Sequence, residues 1–249
     1  MNNFDRYKML EDAVPANITS VPSEFVLHKD GALRVVWAPC DYINTGARIA
    51  IVGITPGWQQ AQIAYTEAQQ ALKDGLSYPE ACNRAKGQAA FAGTMRKNLI
   101  AMLDDIGVGQ ALGIPSTVEL FGRSHSDLHS TSALRYPVFR DNKNYTGHVP
   151  NPLKHHYLLS MIETLLTEEL TAVSPALVVP LGKAANACVQ HAISICQANV
   201  SILDMFPHPS GANGHRMRQF KERKKTLLGI VENWQAQANA SDTKSRRAH

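Results

Sequence analysis

Cysteine is scarce in this chain. Its four residues, Cys40, Cys82, Cys188 and Cys196, are scattered and form no Cys-x-x-Cys pair. Zinc and iron–sulfur cages usually draw on close cysteine pairs, so the spacing argues against a metal centre and for reduced, mostly buried thiols. Long hydrophobic runs are absent too, and no stretch reaches membrane-spanning length. Residues 1–12 are mixed and charged, without an apolar secretory segment, so a cytoplasmic protein is expected. Neither an internal repeat nor a low-complexity tract interrupts the sequence.

What is present suits an ordinary globular fold. A hydrophobic fraction of 44% can bury a sizeable core, and a charged fraction of 18% argues against wholesale disorder. The expectation is one domain over residues 1–237 and a polar, disordered tail over residues 238–249. The net charge of +4 is unevenly spread, because Arg216, Arg218, Lys221, Arg223, Lys224 and Lys225 crowd one short segment. Such crowding suits nucleic-acid phosphates, and a solvated helix face would produce it equally.

Apolar runs alternate with amphipathic stretches. RIAIVG at residues 48–53 reads as a buried strand ending in a Gly/Pro turn, and residues 58–73 read as a helix stopped at Asp74-Gly75. A second helix is predicted over 95–106 and a strand over 127–134. Residues 153–170 carry helical periodicity, with Leu158, Leu159, Ile162, Leu165 and Leu166 roughly on one side. Ser174-Pro175 should break the chain before a short strand, ALVVPL, at 176–181. A helix over 183–196, a strand over 200–205 and a closing helix over 215–235 complete the pattern. Alternating strands and helices predict a three-layer α/β/α fold around a mostly parallel sheet. Ligands bind such sheets at the carboxyl ends of the strands, so the turns after Gly53, Leu134, Leu181 and Met205 should share one rim.

Two of those turns carry chemistry. In Gly53-Ile54-Thr55-Pro56-Gly57 the glycines let the backbone approach a ligand, the proline fixes the path, and the helix that follows offers N–H groups. Phe206-Pro207-His208-Pro209-Ser210-Gly211-Ala212-Asn213 makes a stiff loop that presents one imidazole, with Arg216 and Arg218 close behind for phosphate. Either segment taken alone also fits a packing turn or a polar surface loop.

Together they resemble the two signature motifs of the uracil-DNA glycosylase superfamily, a Gly-x-x-Pro-Gly-like turn and a late His-Pro-Ser loop. Ala90-Phe91-Ala92-Gly93 with Leu99 and Gly107 is similar to a stretch of the thermostable bacterial branches. Leu181-Gly182-Lys183-Ala184-Ala185 is similar to the segment preceding the second motif. The likeness runs from about residue 49 to 220.

That resemblance implies a DNA glycosylase that extrudes a nucleotide from the stack and cleaves its base from the sugar. By position, Phe91 would stack on the base; read by itself, it is an ordinary core aromatic. The backbone of Gly53, Ile54, Pro56 and Gly57 would meet the base's carbonyls, and Ser132 its edge. His208 would stabilise charge on the departing base. Thr55 would position the attacking water. Pro209, Ser210 and Gly211 would press on phosphates, Ala212 and Asn213 would sit near the vacated gap, and Arg216 and Arg218 would bind DNA, duplex or single-stranded. The resemblance implies no cofactor, and a monomer is expected.

Three departures stand out. Thr55 replaces the acidic or amide residue of the first motif, Ser132 replaces the amide that reads uracil, and the close cysteine pair of the iron–sulfur branches is missing. They point to a pyrimidine enlarged at the 5-position, such as a hydroxymethylated or glucosylated base of phage DNA. Uracil repair, or a non-catalytic DNA-binding relative, is the alternative. A phosphate-binding loop at Gly182-Lys183 is disfavoured because Leu177 and Ala184 occupy required positions. A metal hydrolase built on His125, His129, His155 and His156 lacks a recognisable ligand spacing.

Overall fold

The computed structural model describes residues 2–122, 125–174 and 176–247. In chain order, α1 (Asn3–Asp12), β1 (Val26–Asp30) and β2 (Leu33–Val36) precede the first core strand, β3 (Ile49–Gly53). A helical pair follows, α2 (Trp58–Lys73) and α3 (Tyr78–Ala89), then α4 (Thr94–Asp105), α5 (Val108–Leu112) and β4 (Leu128–Ser132). Short strands β5 (Val138–Arg140) and β6 (Lys143–Asn144) come before α6 (His156–Met161), which passes through a π turn at Ile162–Leu166 into α7 (Thr167–Ala172). The chain closes with β7 (Leu177–Pro180), α8 (Gly182–Cys196), β8 (Ser201–Ile202) and α9 (Arg216–Arg247).

The central sheet has the order β4-β3-β7-β8, and every neighbouring pair is parallel. All five residues of β3 are buried, as expected of a strand covered on both faces. Side chains alternate across it. Ile49 and Ile51 join one apolar cluster with Leu99, Leu103, Leu227 and Val231 of α4 and α9. Ala50 and Val52 join another with Leu158, Ile162, Leu170, Cys188 and Val189 of α6, the π turn, α7 and α8. These are the two helical layers of the α/β/α arrangement. A third cluster packs α1, α2 and α3 around Trp37, Tyr65 and Phe25.

The structure departs from the sequence pattern at several points. A second, antiparallel sheet, β1-β2-β5-β6, stands beside the first. Its strands have two to five residues, too few for alternation to stand out. Helix α3 was likewise not expected. The closing helix runs to Arg247, into the stretch assigned to a tail. Pro175, expected to break the chain, and residues 248–249 of the tail lie outside the described residues. No helix among the described residues is long and apolar enough to cross a membrane.

A buried ion cluster joins β4 to the α7 layer. The Glu169 carboxylate, 1% exposed, accepts hydrogen bonds from His129 Nε2 at 2.7 Å and from Arg135 Nε. Arg135 also donates to Glu168 and to the Leu165 carbonyl. Burial alone would raise the Glu169 pKa. The hydrogen bond from His129 and the charges of Lys86 and Arg135 outweigh it and hold the carboxyl well below its usual range. His129 moves the other way, because burial and the nearby Lys86 hold its pKa down. The cluster is therefore a neutral imidazole, a carboxylate and a guanidinium.

Removing one partner of a buried charge pair strands the other, at about 3–5 kcal/mol. Glu169→Gln should lose stability of that order at neutral pH in denaturant unfolding. A depressed folded-state pKa contributes stability above the unfolded value, here near 4.5, and that contribution disappears as pH falls below it. The gap between wild type and Glu169→Gln should therefore be full at pH 7 and narrow progressively below pH 4.5. A gap independent of pH would show that folding does not shift the Glu169 pKa.

Candidate functional site

Parallel register aligns the carboxyl ends of the strands. Gly53 pairs with Ser132, and Val52 with Pro180, so the turns after β3, β4 and β7 open on one edge beside the loop after β8. That rim carries Ser132, the 53–57 turn, Gly182 and the 206–213 loop in spatial order. Adjacent strands lie about 4.8 Å apart, so β3 and β8 are roughly 10 Å apart across two spacings.

A cleft of about 450 Å³, open mouth included, lies between the β3–β4 end of this rim and the α2–α3 pair. Pro56, Gln60, Lys86, Phe91, Ser132 and Arg135 are among its walls. Phe91 and Ser132 meet over Gly53. A Cβ on it would lie 3.4 Å from Ser132 Oγ and 3.6 Å from the Phe91 ring, in ordinary contact with both. Phe91 is 4% exposed and adopts φ +51°, a left-handed conformation that is an outlier for a bulky side chain. Strain of this kind persists only where the surroundings over-determine it. Here Arg96 donates from Nε to the Ala90 carbonyl at 2.9 Å and from Nη2 to the Gln88 carbonyl at 3.1 Å, gripping the segment that leads into the ring's backbone. Gln60 ties that turn to the first motif, accepting from Gly57 N–H at 3.0 Å and donating to the Ala89 carbonyl at 3.4 Å.

The first motif differs from its expected role in two respects. The Thr55 hydroxyl donates to the Tyr136 carbonyl and accepts from Val138 N–H, both at 3.0 Å. It is a pin between the turn and β5, and it is committed to backbone groups where a free water-positioning hydroxyl was expected. The amides at the start of α2 are committed as well. Gly57 N–H goes to Gln60, and Trp58 N–H donates to Asn144 Oδ1 at 2.8 Å. Ile54 packs where a Cβ on Gly147 would stand 2.8 Å away, so it faces the 145–150 loop.

The second motif is braced from every side. Ser210 N–H donates to His208 Nδ1 at 3.2 Å, which leaves the ring proton on Nε2. Burial lowers the His208 pKa, so the imidazole is neutral at pH 7. Asn98 donates to the Pro209 carbonyl at 2.8 Å, Asn213 to the His208 carbonyl at 3.1 Å, and Arg216 Nη1 to the Ser210 carbonyl at 2.9 Å. Pro209 is buried under these contacts and offers no surface for a phosphate, contrary to expectation. Arg216 and Asn213 act first as loop braces. Gly211, Ala212 and Arg218 are exposed, and Ser210 is half-buried with Oγ accepting from Ala212 N–H. Of the other basic residues, Lys224 pairs with Asp105 at 2.8 Å. Gly182, at φ +83°, lies against His208, where a Cβ would come within 3.0 Å of the imidazole's Cβ. Its part is steric, which accounts for a glycine there without any phosphate loop.

Sequence reasoning did not single out Lys86 and Arg135, the two cations of the cleft, or Gln60. Among the residues lining it there is no carboxylate. Cys40 lines it too, and burial pushes that thiol well above the ordinary range, so it remains protonated. A Gln three residues beyond Gly57 at a helix start is a capping pattern that could have marked Gln60. Neither cation carried such a signal. Of the histidines weighed for a metal hydrolase, His129 is spent on Glu169, and the side chain of His125 lies outside the described residues.

Comparison with known proteins adds a family and a relative. Residues 40–231 match the profile described as "Uracil DNA glycosylase superfamily". The chain is also 40% identical over 234 residues to the "Uncharacterized protein YoxB" of Bacillus subtilis (strain 168), a match covering 90% of each chain.

The contact between Gly182 and His208 can be tested directly. Gly182→Ala places a methyl against the imidazole and forces a left-handed φ on alanine, at a cost of about 1 kcal/mol or more. The His208 ring resonances should shift and the melting temperature fall. Gly214→Ala, where a Cβ meets nothing within 4 Å, should leave both unchanged. Unperturbed His208 resonances in Gly182→Ala would disprove the steric coupling.

Proposed function

The chain belongs to the uracil DNA glycosylase superfamily, and from that premise we propose that it takes a modified pyrimidine of DNA into the Phe91–Ser132 cleft and hydrolyses its N-glycosidic bond, leaving an abasic site. The observation that carries this reading is the chemistry of the rim. A neutral imidazole with its proton on Nε2 stands on the same edge as a cleft whose lining includes Lys86 and Arg135, the latter already paired with Glu169 and Glu168, and no carboxylate. Such a site suits negative charge that develops during reaction, and preorganised donors are worth most there.

In the proposed step the bond between the sugar C1′ and the base nitrogen breaks with its electron pair leaving on the base. His208 Nε2–H donates to the oxygen where that charge collects, and its own proton stays put. Water adds to the electron-deficient C1′ and gives its proton to solvent. Thr55 supports this step by fixing the 53–57 turn through β5, and Phe91 stacks on the extruded ring. Gly211, Ala212 and Arg218, exposed on the second motif and the start of α9, meet the DNA backbone.

One feature favours a base larger than uracil: Ser132 is shorter than the amide that would read a uracil edge, and it lines the cleft beside Phe91. On this reading the substrate is a hydroxymethylated or glucosylated pyrimidine, as in phage DNA, and the role is defence against such DNA. Excision of uracil in repair is the second reading, favoured by the family itself.

Removing one preorganised donor typically costs about 3 kcal/mol of barrier, or roughly a hundredfold in rate. His208→Ala should therefore cleave about a hundredfold more slowly in single-turnover assays with alkali-revealed abasic sites, with DNA affinity little changed. Cleavage at the wild-type rate would remove His208 from the chemistry. On a panel of oligonucleotides, release of hydroxymethylated or glucosylated pyrimidine in preference to uracil is expected. Efficient uracil release with no action on the enlarged bases would establish the repair reading. No abasic sites with any base, despite tight DNA binding, would identify a non-catalytic relative.

A further inference from the structure

The antiparallel sheet carries a cluster that the cleft does not use. His28 and Asp30 stand two residues apart on β1 and so share one face of the strand. His155 is the residue that caps the start of α6. One nitrogen of each imidazole and one oxygen of Asp30 all lie within 4.8 Å of one another. His155 Nε2 and Asp30 Oδ2 are 3.4 Å apart. Ligand atoms held about 2.0–2.1 Å from a tetrahedral zinc ion are separated by about 3.3–3.4 Å, the same spacing.

The two imidazoles have little else to hold them. His28 lies flat on Tyr157, with centroids 4.0 Å apart and planes at 7°, so its ring direction is set by stacking. Its Nε2 is buried without a hydrogen-bond partner. Buried polar atoms in native proteins are nearly always partnered, and each exception calls for a ligand or another explanation. A simple His155–Asp30 ion pair accounts for one carboxylate contact and leaves His28 unexplained.

We propose that His28, Asp30 and His155 form a divalent transition-metal site that clips β1 to the start of α6. Two imidazoles and one carboxylate, without sulfur, suit zinc or a neighbouring late first-row ion, whereas calcium and magnesium favour all-oxygen shells. Three protein ligands leave a fourth position for water. β1 is an edge strand of its sheet, and a metal clip would hold an edge that otherwise has a partner on one side only. The same sheet includes β5, whose Val138 N–H holds Thr55, so the clip steadies the wall against which the 53–57 turn is pinned.

The test uses the full chain, stripped with a chelator and titrated with zinc chloride by calorimetry, with thermal unfolding in parallel. One zinc per chain should bind with micromolar or tighter affinity and raise the melting temperature. Asp30 is exposed, so Asp30→Asn will fold, and it should weaken binding at least tenfold and remove most of the zinc-dependent rise. His28→Gln should do the same. His191→Gln, which alters a surface pair with Glu163, should bind zinc like wild type. Cobalt in the wild-type chain should give the visible absorption of a four-coordinate site, and Asp30→Asn should not. Wild type and Asp30→Asn binding zinc alike, or no saturable binding at micromolar zinc, would overturn the proposal.

Discussion

A carboxylate removed from water must be matched from all sides or it unfolds the protein around it. Glu169 is matched by His129 from one end of β4 and by Arg135 from just beyond the other, with Lys86 adding charge from α3. Because both main partners belong to one strand and its exit, the ion fixes where β4 ends, and therefore where Ser132 and Arg135 stand at the rim. The cost of burying the ion would not be recovered by stability alone, since a well-packed apolar substitute often does as well. What the cluster adds is a cation held in place at the wall of the cleft.

Close approach does the remaining positioning. Phe91 and Ser132 share one corner over Gly53, Gly182 lets His208 settle against the start of α8, and Thr55 ties the first turn to a second sheet. Most polar groups of the two motif turns are spent on holding the turns themselves. Thr55, Gln60, Asn98, Asn213 and Arg216 all make bonds to backbone atoms of the motifs or their neighbours. The rim is thus rigid before any ligand arrives, the condition under which fixed dipoles stabilise charge most effectively.

The central sheet was legible because β3 and β7 are short, apolar and bounded by Gly or Pro, while α2, α4 and α8 have clear helical period. The two motif turns were legible for the same reason, since Pro and Gly restrict the backbone in ways a sequence displays. The antiparallel sheet was not, because His28, Lys29 and Asp30 are polar and its pairing is set by contacts remote in sequence. Glu169 left a trace that was passed over: it lies seven residues beyond Ile162, on the apolar side of the same helix. Lys86 and Arg135 left none, since a charged residue beside a cleft and one on a solvated face look alike in sequence. The hydroxyl of Thr55 was assigned a role from its place in a motif, and only the neighbouring β5 shows where its bonds go.

The left-handed backbone at Phe91 is held in place by the very ring it carries. Glycine there would relieve strain of about 1–3 kcal/mol, yet it would delete a buried ring of the core, whose loss costs about 3–5 kcal/mol, and uncover the cleft. Packing and the cleft thus both hold the turn in its strained form. Residues that make the strain tolerable, Arg96 foremost, are free to vary only together with it. The turn is consequently a place where adaptation to heat and adaptation to substrate cannot proceed independently.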